Sequence, residues 1–306
     1  MNRLITLILA IFLIISLPAY AAEQIPTVDD IYLGLSSGPL RYARLASLPD
    51  GILLKAADLT IDQKQIDDKI SHSTPELQEQ LRRNAFYVLE QTAARPILLS
   101  EAKKWMVTQK IQVPNPNEDE LLKIYLESLI PPDLTLSDQE VQLFFDQNQE
   151  AFGEASLPEV REQVVVYLLG LKKQEVINAY IQSLSEHLTI EVNADWVKVQ
   201  SQTAFENPVD QARRSNLPVM VDFGASGCIP CDMMAPILKE LETTLTGKGM
   251  ILFADVRIYQ VLSARYGIEV IPTQVFFDQN GKEMSRHNGF FSKEDILKQL
   301  AKLGVE

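Results

Sequence analysis

The chain has 306 residues, with 28 Lys and Arg against 41 Asp and Glu, a formal net charge of −13, 46% hydrophobic and 23% charged residues. This is globular composition with room for two domains, each long enough to bury a core. The acidic balance excludes a duplex nucleic-acid binder built on basic phosphate contacts. Three His and two Cys are too few for a closed zinc site within one chain or for a disulfide scaffold, so no metal or cofactor is expected.

Residues 1–21 read MNRLITLILAIFLIISLPAYA, with a positive charge at Arg3, an apolar run over 4–17, then Pro18 and the small pair Ala19 and Ala21. That is the three-part pattern of a secretory signal peptide. The run is shorter than the roughly 20 residues a membrane-spanning helix needs. The expectation is an exported, soluble mature protein, periplasmic if the source is bacterial, in a compartment where disulfides form. An uncleaved N-terminal anchor is the alternative.

From about 53 to 190 the apolar positions recur at helical spacing, within a helical domain expected at 22–193. A short strand is predicted at 52–55 and helices at 62–70, 76–91, 96–108, 119–129, 138–148 and 158–187, followed by a strand-like 189–192. Ser73 with Glu76, Ser137 with Glu140, and Ser156 with Glu159 each fit a capping box, in which the acid folds back on the cap residue. The acids after Asn117 suit a helix start and need no metal. Phe86-Tyr87 and Phe144-Phe145 read as packing residues. His72, His187 and His287 have no partner at a ligand spacing and read as solvated surface.

After a linker predicted at 194–208, the grammar of 209–306 changes to strands alternating with helices. Strands are predicted at 218–223, 250–256, 273–278 and 283–288, with Asn280-Gly281 as a hairpin signal, and helices at 231–246, 261–266 and 293–303. Both cysteines lie in Cys228-Ile229-Pro230-Cys231, between the first of these strands and its helix. A thiolate there is favoured by the helix dipole and free N–H groups, which makes Cys228 the expected nucleophile, with Cys231 one turn on as its partner. Pro230 suits the first turn. Two other readings of an isolated pair remain, a fixed structural disulfide and half of a metal site shared between chains. Asp222 sits in an otherwise apolar strand, where an inward carboxylate is costly unless useful; alternation alone does not decide whether it faces inward. Pro272, in Ile271-Pro272-Thr273, fits a cis turn beside the site, and Pro236 is expected to kink the helix.

The run VDFGASGCIPCDMMAPIL at 221–238, YGIEVIPT at 266–273, DQNGK at 278–282 and Gly289 together resemble the thioredoxin family over about 203–306. The resemblance implies a mixed sheet with helices on both faces, Cys228 as attacking thiol, Cys231 as resolving thiol, Asp222 as a buried acid, and Pro272 as a cis-proline facing the redox-active disulfide. Some positions depart from the family pattern. Gly224 and Gly227 stand where it has Trp, Ile-Pro separates the cysteines, Asp232 follows the second Cys, and 250–256 contains no Lys. A weaker cationic field stabilises the Cys228 thiolate less, which points to a reducing poise.

The helical region resembles, over about 51–192, the N-terminal domain of SurA-like periplasmic chaperones. The matching stretches are LLKAADLTIDQKQID at 53–67, LLSEAKK at 98–104, LSDQEVQLFFDQN at 136–148 and VREQVVVYL at 160–168 with KKQE at 172–175. Only 149–158 stands where relatives often carry an inserted prolyl isomerase domain, so polypeptide binding without isomerisation is implied. The combined expectation is a helical domain joined to a thioredoxin-like domain, an exported oxidoreductase exchanging disulfides with polypeptide substrates and fed by a membrane thiol-electron carrier. The rival readings are a chaperone or assembly factor whose disulfide is structural, and a metal carrier that borrows a partner's ligands.

Overall fold

The computed structural model describes residues 25–111 and 117–305; the expected export segment at 1–21 lies outside them. Among the described residues, no helix is long and apolar enough to cross a membrane. The N-terminal region runs α1 (Val28–Ile31), β1 (Arg44–Ala46), β2 (Ile52–Ala56), β3 (Leu59–Asp62), α2 (Gln63–Ser71), α3 (Pro75–Arg83), α4 (Ala85–Gln109), α5 (Glu118–Ser128), α6 (Asp138–Gln147), α7 (Gln149–Phe152), α8 (Leu157–His187), β4 (Ile190–Asn193) and α9 (Ala194–Ala204). Its sheet has the order β1-β4-β2-β3. Strand β4 returns from the far end of the helical array to lie parallel to β1 and antiparallel to β2. Leu54, Ile61, Phe86, Leu89, Ile190 and Val192 form the core that this sheet shares with α4.

The capping boxes at Ser137 and Ser156 form. That at Ser73 does not: α3 starts one residue later, with Thr74 at the cap position and Pro75 in the first turn. The Ser73 amide instead bonds to the Ile70 carbonyl and closes α2. The helices expected at 76–91 and 96–108 are divided elsewhere. Asn84 (φ −117°, ψ 39°) breaks the first, its Nδ2 donating to the Gln80 carbonyl at 2.9 Å. Helix α4 then passes through Pro96 unbroken, giving up one N–H bond while burying Phe86, Leu89, Ala93 and Ile97.

Residues 194–208, read as a linker, are largely helical. The Asn193 side chain accepts from the Trp196 amide at 3.1 Å and starts α9, which places Val197 and Ala204 in the N-terminal core. Asn207 starts the next helix in the same way. Phe86 and Phe145 are buried as expected, and Phe144 packs on Tyr167 and Phe152.

The C-terminal region runs α10 (Pro208–Arg213), β5 (Val219–Gly224), α11 (Ile229–Thr244), β6 (Met250–Asp255), α12 (Gln260–Arg265), β7 (Thr273–Phe277), β8 (Glu283–Asn288) and α13 (Lys293–Ala301). The sheet order is β6-β5-β7-β8, with β5 parallel to β6 and antiparallel to β7, and β7 antiparallel to β8. Alternation along β5 sorts its side chains. Val219, Val221 and Phe223 enter the core on the α10 and α12 face, and Met220 enters the core on the α11 and α13 face. Asp222 therefore shares the face covered by α11. Helix α11 continues through Pro236.

The two regions meet at α12. Gln80 Nε2 donates to the Ile258 carbonyl at 3.1 Å, and Gln80 Oε1 accepts from the Val261 amide at 3.3 Å. Arg265 Nη1 donates to Asn84 Oδ1 at 3.2 Å and to the Ala204 carbonyl at 2.9 Å.

Candidate active site

Strand β5 ends at Gly224, and the short loop 225–228 delivers Cys228 to the N-cap position of α11. Gly227 has φ +78°, a conformation that favours glycine, and its amide donates to Asp232 Oδ1 at 3.3 Å. Cys228 and Cys231 are joined as a disulfide, with Cα atoms 5.2 Å apart. The two sulfurs have unequal access, Cys228 being partly exposed and Cys231 buried at 4%. One thiol of the reduced pair is thus open to a substrate at a helix N-terminus, where the free amides favour a thiolate, while the other is screened.

Asp222 is fully buried on the side of the sheet that α11 covers. Its Oδ1 accepts from Gln274 Nε2 at 2.7 Å, and Oδ2 has no hydrogen-bond partner among the described residues. Burial pushes the carboxyl up to about 6, against a smaller opposing effect of the Gln274 bond. A Cβ on Gly224 would stand 3.4 Å from both Asp222 Oδ2 and Cys231 Cβ. The carboxylate and the second cysteine therefore border the same small space.

The Ile271–Pro272 peptide bond is cis. It lies at the head of β7, where Thr273 pairs with Phe223 at the end of β5, so Pro272 and the cysteine loop share one end of the sheet. The Pro272 carbonyl accepts from the Gly289 amide at 2.8 Å, and Thr273 Oγ1 donates to Asn288 Oδ1 at 2.8 Å. The four residues singled out from sequence thus fall on adjoining β5, α11 and β7 elements.

Two more belong with them. Gln274, fully buried, is paired in register with Asp222 on β7, and Phe253 is paired with it on β6. A Gln directly after IPT, at the start of an otherwise apolar strand, was a readable signal; nothing in the sequence marked Phe253 beyond the missing Lys. A cleft of about 310 Å³ opens beside them, lined by Ala225, Cys231, Asp232, Ala235, Leu238 and Phe253 among others.

The histidines divide. His72 and His187 are exposed, but His287, expected on the surface, is half-buried. Its ring stacks on Phe291 at 4.0 Å and its Nε2 is 3.1 Å from the Phe290 carbonyl, and burial lowers its pKa. Strand β8 carries it against the loop before α13. Among the described residues, no group of three or more His, Cys, Asp or Glu is placed to hold a metal ion.

A parallel strand leading into a helix capped by the first of two bonded cysteines, with a buried acid beneath and a cis-proline on the next strand, defines a dithiol domain of thioredoxin architecture. The thioredoxin family profile matches residues 196–302. The thioredoxin of Rickettsia prowazekii is 35% identical over 100 residues, 33% of this chain and 91% of its own. A thioredoxin-like protein of Synechocystis is 34% identical over 96 residues, 31% of this chain and 90% of its own. The chain belongs to the thioredoxin family, through its C-terminal domain, and that domain carries the residues of a thiol-disulfide oxidoreductase. Thioredoxin Y of rice chloroplasts is also similar, at 35% identity over 104 residues, 34% of this chain and 61% of the relative. The chain thus spans about three fifths of that relative's length.

Proposed function

We propose that this protein is an exported thiol-disulfide oxidoreductase that reduces disulfides in polypeptide substrates held by its helical domain. The observation that carries the reading is the partly exposed Cys228 at a helix N-terminus bonded to the buried Cys231 over the buried Asp222. In the reduced protein, the Cys228 thiolate attacks a substrate disulfide, forming a mixed disulfide and expelling one substrate thiolate. Cys231 gives its proton to Asp222 and attacks Cys228 Sγ. The Cys228–Cys231 bond forms, the mixed disulfide breaks, and the second substrate thiolate leaves to be protonated from water. The substrate has gained two electrons and the protein has lost them. A thiol-electron carrier in the membrane returns those electrons.

The reducing direction is supported by Asp232 in the first turn of α11 and by β6, which carries no Lys or Arg, so neither adds positive charge near Cys228. Export is supported by the pattern at 1–21, and client holding by the SurA-like stretches at 53–67 and 136–148. Tyr167 and Val166 on α8 remain exposed, at 41% and 66%, and offer apolar contact to an extended client.

The test is a Cys231→Ser variant of the mature chain incubated with insulin, beside the parent under a dithiol supply. The expected results are a Cys228-linked mixed disulfide in the variant and insulin reduction by the parent. A potential near the roughly −270 mV of thioredoxin supports the reducing direction, and one near roughly −120 mV overturns it. If neither trapping nor reduction occurs while aggregation of an unfolded client is still suppressed, the protein is a chaperone with a structural disulfide.

A further inference from the structure

Asp222, Phe253 and Gln274 are register partners on three neighbouring strands and point to one face of the sheet, under α11. Gln274 Nε2 bonds one carboxylate oxygen and also reaches Met234 Sδ at 3.2 Å. The other oxygen faces the space above Gly224. A Cβ there would lie 2.9 Å from Phe253 Cε2, closer than real side chains allow, so the absence of a side chain at 224 is what admits the ring. The ring, the Asp222 Oδ2 and Cys231 therefore surround one point. Phe253 is itself 49% exposed and lines the cleft with Cys231, so it stands between the carboxylate and solvent.

We propose that Phe253 is a positioning residue of the exchange reaction, its ring forming the wall of the cleft through which Asp222 passes to water the proton it takes from Cys231. This rests on the redox reading above. The step is balanced: Cys231 loses its proton to Asp222, its thiolate closes the disulfide and releases the substrate thiolate, and Asp222 then loses the proton to water in the cleft. The ring limits how much water and which cations reach Oδ2 from the cleft.

The charged and titratable groups around Asp222 are few. Helix α11 brings Cys231 itself, with Asp232, Lys239 and Glu242 farther along the cleft. Strand β6 brings Asp255, paired with Gly224 and bonded to the Arg257 amide at 2.9 Å. Strand β7 brings only the neutral Gln274. Burial, with no countercharge, raises the carboxyl of Asp222, and the aromatic wall contributes to that burial.

The test places a cation in the wall. In the full mature chain, the Asp222 carboxyl is titrated by carbon-13 NMR in the oxidised protein, assigned by Asp222→Asn, and the pH profile of mixed-disulfide resolution is measured in single turnover with insulin. Phe253→Lys is expected to lower the carboxyl midpoint by at least about one pH unit and to speed resolution at pH 5 about fivefold, as the ionised fraction rises. Phe253→Leu is expected to keep the parent profile. Phe253→Ser, which wets the cleft without adding charge, moves the midpoint the same way and serves if the Lys variant does not fold. An unmoved midpoint in folded Phe253→Lys or Phe253→Ser overturns the proposal, and so does a moved midpoint with an unchanged resolution profile. A parent that forms no mixed disulfide removes the redox reading and this role with it, whatever the titration shows.

Discussion

Asp210→Ala perturbs the junction between the two regions at a buried ionic cluster. Asp210 is 2% exposed; its Oδ2 pairs with Arg265 Nη2, and its Oδ1 accepts from the Tyr266 hydroxyl at 2.7 Å and lies 3.5 Å from Arg213 Nη1. Both guanidiniums are buried, Arg265 at 1% and Arg213 at 6%. Arg213 donates to the Tyr266 hydroxyl at 2.8 Å and to the Gly281 carbonyl at 2.9 and 2.6 Å, and Arg265 reaches across to Asn84 and the Ala204 carbonyl. Removing the carboxylate strands two buried cations, and losing one partner of a buried ionic group costs about 3–5 kcal/mol. Arg265→Met leaves Asp210 paired with Arg213 and Tyr266 and forfeits the cross-domain bonds, a loss of about 2–3 kcal/mol. The double variant removes both charges of the strongest pair, so its cost should fall at least about 1 kcal/mol short of the sum of the single losses. Urea unfolding followed by circular dichroism at pH 7 gives all three values. A loss below about 1 kcal/mol for Asp210→Ala, or strict additivity, would refute the reasoning, because either means that water or repacking replaces the carboxylate.

Gly281 has φ +76°, and a Cβ there would lie 2.5 Å from the Arg213 carbonyl oxygen, so Gly281→Ala should cost roughly 2–4 kcal/mol; Gly51, at φ +78° with nothing within 4 Å, should lose only about 1 kcal/mol on the same change, and equal losses would contradict the contact argument. Burial raises Glu90 to about 7 from an ordinary value near 4.5, despite bonds from the Ser36 hydroxyl and the Leu40 amide. Between those two pH values the folded chain holds a proton that the unfolded chain has lost, so stability should fall by roughly 3 kcal/mol as pH rises through the window and level off above it. Glu90→Gln should remove that part of the slope in urea midpoints taken from pH 4.5 to 8, and an unchanged slope would show that Glu90 does not hold the proton. Asp222→Asn should slow resolution of the mixed disulfide at pH 7 by about 10²-fold while leaving the attack by Cys228 within about twofold, as read by rapid quench of the two steps.

Much of the C-terminal domain was legible because its signals are local and agree. The short apolar run of 218–223 placed β5, Asn280-Gly281 placed the hairpin, and CIPC at a strand-to-helix junction placed the reactive pair. The orientation of Asp222 was not legible from alternation within its own strand, since Met220 and Val221 are both apolar and both buried. Only the layer of helices on each face separates them. Gln274 and Phe253 were harder still, because they meet Asp222 through register between strands distant in sequence.

Two of the misread boundaries, at Asn84 and at 194–208, share one physical origin. Asn84 divides a helix that propensity alone would continue, and its Oδ1 accepts from Arg265, which lies 181 residues further along the chain. Residues 194–208 read as a linker because the apolar positions of α9 are few. Val197 and Ala204 are nevertheless buried, and the Ala204 carbonyl accepts from the same guanidinium. Arg265 in turn is held by Asp210, at the start of the thioredoxin-like region. A single buried cation thus sets a helix break in one region and caps a helix end at the boundary, from a position in the other. Local pattern reading sees each of these as separate and weak, whereas the folded chain satisfies all of them with one side chain whose burial requires every partner to be in place.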